Sequence, residues 1–251
     1  MTIRSTREYL APLLVAVALL AATRVAAAED PAAIGARAQQ AYLTGNAADV
    51  ARLVQATAAW DKSANTVELY ARAFVQFRAL QFALAAKNDA AAEKAGESCV
   101  AALDAATRRD PRFAEAFALQ SACYGYMANL GGFGAIKNGS RSGKSIEAAL
   151  LIDMKAPRIV LVDGFGLYFR PKFVGGDKQK GCARFREAAT TFDAVVGRAS
   201  PAGIDWGHAE AHYWVGRCAA DAGDMATARR EFAQALTLEP SFTAAKRRSG
   251  G

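Results

Sequence analysis

The chain of 251 residues has two histidines, four cysteines and no stretch of twenty apolar residues. Each scarcity closes off a class of function. A bilayer crossing needs about 20 consecutive apolar residues, and the strongest run, residues 10–22, is too short. Serine and cysteine nucleophiles need a histidine base, so His208 and His212 would have to supply every such site. Basic residues are dispersed. Arg108-Arg109, Arg229-Arg230 and Lys246-Arg247-Arg248 are short clusters, with no aromatic-interleaved stripe of the kind that tracks phosphates. The net charge of +7 therefore reads as a solvated surface, and no nucleic-acid partner is expected. A hydrophobic fraction of 52%, rich in alanine, fits a soluble helical protein.

What the first residues do have is export character. Arg4 and Arg7 precede the apolar run, and "RVAAAED" follows it with Ala26 and Ala28 at the selective positions of a small-residue cleavage site. The first cysteine is Cys99 and "RSTR" splits the arginine pair, so neither a lipid-modified terminus nor a twin-arginine signal is expected. Residues 1–28 are read as a cleaved secretory signal and 29–251 as one domain, periplasmic or secreted, with no membrane insertion after cleavage.

A pattern then occurs twice. Gly176-Asp177 is followed by Gly181, Phe185 and Ala188, and Gly223-Asp224 by Ala228, Phe232 and Ala235, at identical offsets. Small, large and small residues at spacings of four and three lie on one helix stripe, where the small ones let a neighbouring helix approach the phenylalanine. "AEAHYWVGRCAADAG" forms another amphipathic helix ahead of the later copy, and Pro240 ends that copy. Segment 209–240, with Gly216, Ala228, Phe232, Ala235 and Pro240, resembles one tetratricopeptide repeat. Trp214 sits two places later than that family's tryptophan. Cys99, Leu103, Ala106 and Pro111 keep the small-large-small-proline spacing, and Phe117, Ser121 and Tyr124 suit a first helix.

The resemblance implies an all-α, superhelical stack of antiparallel helix pairs, an α-solenoid with inserted loops. Pairs are expected at about 66–108, 113–155, 158–193 and 208–239, with one or two helices between Pro31 and Ala59. Stretches 131–145 and 170–177 are read as connecting loops. Gly143-Lys144-Ser145 resembles the end of a phosphate-binding loop, but Asn138 stands where that motif needs glycine. "FRPKFVGGDKQ" and Asp205-Trp206-Gly207 resemble blocks of small exported bacterial repeat proteins of unassigned role.

The family generally holds a protein or peptide on its concave wall. Carried onto this chain, the wall positions are Glu210, Tyr213, Arg217 and Asp221, with Glu115 and Tyr126 on an earlier unit. The alternative is a small-molecule module with a pocket between the two glycine-containing loops, lined by Phe133 and Phe173. No enzyme activity, catalytic residue or cofactor is assigned. His208 and His212 share a helix face and could hold a metal, but a repeat helix explains them, no third ligand can be named, and no metal site is assigned.

The repeat register bears on the cysteines. Cys99 and Cys182 fall near the start of the second helix of their units, and Cys123 and Cys218 in the later part of the next unit's first helix. Antiparallel packing brings each pair to one height, so disulfides Cys99–Cys123 and Cys182–Cys218 are expected. The alternative is four small buried thiols filling helix contacts.

Overall fold

Asparagine and aspartate begin most of the helices, because their side-chain oxygens accept the backbone N–H groups that a first turn leaves unpaired. Asp30 caps α1 (Pro31–Thr44), Asn46 caps α2 (Ala47–Ala56), Asn65 caps α3 (Thr66–Ala85) and Asn88 caps α4 (Asp89–Arg109). α5 (Ala114–Ala128), α6 (Gly134–Ile152) and α7 (Pro157–Phe169) follow. Asp177 caps α8 (Lys178–Ala194), a glycine precedes α9 (His208–Asp221), Asp224 caps α10 (Met225–Leu238), and α11 spans Thr243–Ser249. The computed structural model describes residues 30–195 and 200–250. Among them there is no strand, and no helix is long and apolar enough to cross a membrane. The expected signal, residues 1–28, lies outside the described residues.

The helices pack as consecutive antiparallel pairs, α3 with α4, α5 with α6, α7 with α8 and α9 with α10, in an α-solenoid. The doubled pattern explains the packing. Phe185 and Phe232 are fully buried, and the space each fills exists because the facing residue is glycine. A Cβ at Gly164 would lie 2.8 Å from the Phe185 ring, and one at Gly216 would lie 2.7 Å from Phe232. The repeated Gly-Asp dipeptides divide their work differently. Both aspartates cap, Asp177 accepting from Lys180 N and Asp224 from Thr227 N, each at 3.0 Å. Gly223 adopts φ 81°, a left-handed turn, whereas Gly176 is needed because a Cβ there would collide with the Arg170 carbonyl.

One sequence reading is corrected here. Stretch 131–145 is not a loop: α6 begins at Gly134 and runs through it, so Gly143-Lys144-Ser145 lies within a helix and cannot form a phosphate-cradling loop. The glycines misled because they are rare inside helices. Contacts with α5 hold this helix: buried Ser142 and Ser121 exchange hydrogen bonds and Ser145 donates to Gln120.

The four cysteines pair as the register predicts. The sulfurs of Cys99 and Cys123 stand 2.05 Å apart with Cα atoms 6.5 Å apart, and those of Cys182 and Cys218 stand 2.01 Å apart with Cα atoms 5.9 Å apart. Cys99 sits midway along α4 rather than near its start, since α4 is the longer partner. Cys99 and Cys123 are each about 14 to 15 Å from their shared turn at ~1.5 Å per residue, which is the condition that matters. Two such pairs suit an exported protein in an oxidising compartment.

The described end of the connection between α8 and α9 turns inward. Residues 200–207 lie against the first helices of the pairs. Ile204 is fully buried against Gly35 of α1, and Trp206 packs on Phe74 and donates to the Tyr70 hydroxyl at 3.2 Å. Arg158 donates to the Trp206 carbonyl at 2.9 Å and to Asp205 at 2.7 Å. α1 also reaches the far end of the chain, with Thr243 Oγ1 donating to the Leu43 carbonyl at 3.0 Å. The concave side is thus filled by the protein's own chain.

Candidate functional site

The disulfides join α4 to α5 and α8 to α9, and both junctions are close. The junction between them is different: α6 meets α7 far less closely. A cavity of about 610 Å³ opens there, walled by the second half of α5, the first half of α6, the second half of α7 and the connection after α7.

Its walls combine small and aromatic residues. Gly125 on α5, Gly139 and Gly143 on α6 and Gly166 on α7 bring backbone to the surface, and Val162, Phe165 and Phe169 line the α7 side. Added Cβ atoms at Gly139 and Gly143 would meet nothing within 4 Å, so these glycines are not demanded by packing within the protein. At the mouth, Ile136 and Phe173 are 87% and 89% exposed, an unusual exposure for large apolar groups so close together. Phe133, just before α6, is fully exposed and is not among the residues that line the cavity, unlike in the sequence reading. The connection contributes Arg170, Pro171, Phe173 and Val174, as expected for 170–177.

The polar equipment is sparse. Among the described residues of the lining, Arg170 is the one charged group, and there is no histidine, cysteine, methionine or carboxylate. Tyr126 contributes its phenol, to which Gln81 donates at 3.0 Å. Burial pushes the pKa of Tyr126 upward, against a smaller lowering by the Gln81 hydrogen bond and the Arg78 charge. Trp214 stands just behind the wall, its ring 5.4 Å from Phe165 and 5.3 Å from Phe169.

Of the six residues placed on the concave wall, Glu210 and Glu115 lie inside the protein. Glu210 is 5% exposed, accepting from Gln39 at 2.8 Å, from Arg78 at 2.9 Å and from the Gly207 backbone at 3.0 Å. It thereby ties α1, α3 and α9 together, with the Arg78 guanidinium stacked 3.9 Å over Tyr42. Glu115 is 6% exposed, accepting from Arg158 at 3.3 Å and Ser200 at 2.6 Å. Burial raises its pKa, and the Arg158 charge only partly opposes this. Tyr213 packs between Phe232 and Phe242, Arg217 lies over Trp214, and Asp221 accepts from Tyr168 at 2.9 Å. Tyr126 alone of the six faces the cavity. The cavity could not be read from sequence, since nothing in a local pattern reports which junction between pairs stays open.

No protein-family model and no curated protein matches the chain. Solved structures do resemble it. The HusA haemophore from Porphyromonas gingivalis superimposes with TM-score 0.57 at 19% identity, over 77% of this chain and 94% of that one. TTC0263, a tetratricopeptide repeat protein from Thermus thermophilus, superimposes with TM-score 0.54 at 14% identity, over 89% of this chain and 97% of that one. These likenesses concern the fold alone, an all-helical array of adjacent helix pairs.

Proposed function

We propose that this is an exported binding protein, not an enzyme, whose cavity between α5, α6 and α7 takes a small, flat, largely apolar ligand of the porphyrin class. The observation that carries the reading is the cavity itself, where backbone-deep glycine faces on α6 oppose the aromatic face of α7. A planar ring system fits between such surfaces, because glycine lets a ring approach the backbone and aromatic side chains stack on its faces. Arg170 supplies a cation for a peripheral carboxylate. The fold shared with a haemophore supports the ligand class.

The lining favours recognition of the ring over ligation of a metal at its centre. Its described residues include no imidazole or sulfur ligand, and the Tyr126 hydroxyl is already engaged by Gln81. Metal-free protoporphyrin is therefore expected to bind about as well as haem. Protein or peptide capture along the concave wall is the weaker reading, because residues 200–207 occupy that side and Glu115 and Glu210 are enclosed.

The test is a titration of the purified oxidised protein with metal-free protoporphyrin and, in parallel, haem, followed by quenching of tryptophan fluorescence, to which Trp214 beside the cavity contributes. Saturable one-to-one binding that Ile136→Glu and Phe169→Ala weaken, and that Tyr213→Ala with Arg217→Ala leaves alone, is expected. Absence of saturation with either compound rejects the porphyrin class.

A further inference from the structure

His208 and His212 lie one helical turn apart on α9, and the fold brings Asp193, from the last turn of α8, against both. Asp193 Oδ1 is 2.9 Å from His208 Nε2 and 3.2 Å from His212 Nε2, and the three ligand atoms all lie within 4.8 Å of one another. The far side of His212 is also engaged, its Nδ1 standing 2.8 Å from Glu231 Oε2 on α10. His208 is held by the Phe192 ring stacked on it at 5.2 Å and 15°.

Proton counting makes this arrangement informative. An ionised carboxylate only accepts, so the Glu231 contact places the proton of a neutral His212 on Nδ1. Its Nε2 then presents a lone pair to Asp193 Oδ1, another acceptor, and a buried ring is left with two acceptors opposed. Either a second proton on the ring or a metal cation between Nε2 and the carboxylate resolves the conflict, and the convergence of His208 Nε2 on the same oxygen favours the metal. The geometry points to a divalent transition-metal site, Zn²⁺ by ligand type, formed by His208 Nε2, His212 Nε2 and Asp193, with Glu231 as the carboxylate that orients His212 from behind. Two imidazoles and a carboxylate are a zinc donor set, and ligand atoms of a tetrahedral shell with bonds of about 2.0 to 2.2 Å stand roughly 3.3 Å apart. The two nitrogen–oxygen separations differ from this by only a few tenths of an ångström, and the two imidazole nitrogens lie within 4.8 Å of each other. A histidine whose second nitrogen meets a carboxylate is the usual support of such a ligand. His208 and Asp193 are partly exposed, which leaves the fourth position open to water.

Nearby positive charge is already engaged. Arg158, 5.5 Å from the Phe192 ring, is bound to Glu115 and Asp205, and the exposed Arg230 meets the other oxygen of Glu231 at 3.5 Å. The site is independent of the cavity, whose lining shares none of these residues.

The experiment is calorimetric titration of the untagged, oxidised protein with Zn²⁺, paired with Co²⁺ absorption to report the ligand field. One Zn²⁺ per chain is expected, with a Co²⁺ spectrum of low-coordinate, nitrogen- and oxygen-ligated type. Glu231→Gln should weaken Zn²⁺ binding roughly 10- to 100-fold, and His208→Ala or Asp193→Asn by at least as much. Asp193 is exposed and caps nothing, so Asp193→Asn keeps the test valid should His208→Ala misfold, with helical circular dichroism as the check. Absent stoichiometric binding, or binding that these variants leave unchanged, overturns the assignment. So does ring-nitrogen NMR showing both His212 nitrogens protonated in the presence of Zn²⁺, since His212 would then be a cation between two carboxylates.

Discussion

Gly139 and Gly143 give the cavity its sharpest test, because stability and binding should respond in opposite directions. Both lie inside α6, four residues apart, on the face turned to the cavity. A glycine in a helix interior is less favourable than alanine by about 0.8 to 1.0 kcal/mol. Nothing within 4 Å would obstruct a Cβ at either site, so no steric penalty offsets the gain. Gly139→Ala with Gly143→Ala should therefore stabilise the protein by roughly 2 kcal/mol, which at about 2 to 4 °C per kcal/mol for a chain of this size is a rise of roughly 4 to 8 °C in Tm. The same methyl groups lift the ligand off the backbone, and leucine at both positions would cover that wall. Protoporphyrin affinity should fall in the alanine pair and drop by at least about tenfold, or ~1.4 kcal/mol, in the leucine pair. Thermal unfolding by circular dichroism and quenching of tryptophan fluorescence read the two effects on one sample. A rise in Tm with unchanged porphyrin affinity would refute the cavity as the binding site. A fall in Tm for the alanine pair would refute the helical packing on which the cavity depends.

The two disulfides close segments separated by 24 and 36 residues, so Cys99→Ala with Cys123→Ala, or Cys182→Ala with Cys218→Ala, should each remove about 3 to 4 kcal/mol by loop entropy. Urea unfolding of each double variant measures this, and equal stability with and without a reductant would show that the thiols are not paired in solution. Glu115 holds its proton longer in the folded than in the unfolded protein, because burial raises its pKa above the ordinary 4.5. Stability should thus decline as pH rises from about 4.5 through the folded value, and Glu115→Gln should flatten that part of the urea-midpoint profile; an unchanged slope assigns it to another group.

The elements of this fold were legible in the sequence because they depend on neighbours. Helix ends follow from Asn88, Asp177 and Asp224 capping their own first turns, and pairing follows from Gly164 and Gly216 admitting the rings of Phe185 and Phe232. In a repeat array each pair packs mainly on the next, so local register sufficed even to pair Cys99 with Cys123 and Cys182 with Cys218. The tertiary structure decided what depends on distant contacts. Trp206 bonds Tyr70 across 136 positions and Glu210 bonds Gln39 across 171, so residues 200–207 fill a groove that the repeat pattern alone leaves free and Glu210 turns inward. Gly139 and Gly143 look like a loop until the contacts of Ser142 and Ser145 with α5 hold them in a helix, and only then does a cavity exist. His208 and His212 announce a shared helix face by their spacing, but the carboxylate between them, Asp193, comes from another helix. Spacing along one helix is set by local geometry, whereas the approach of a second helix is set by the packing of the whole chain.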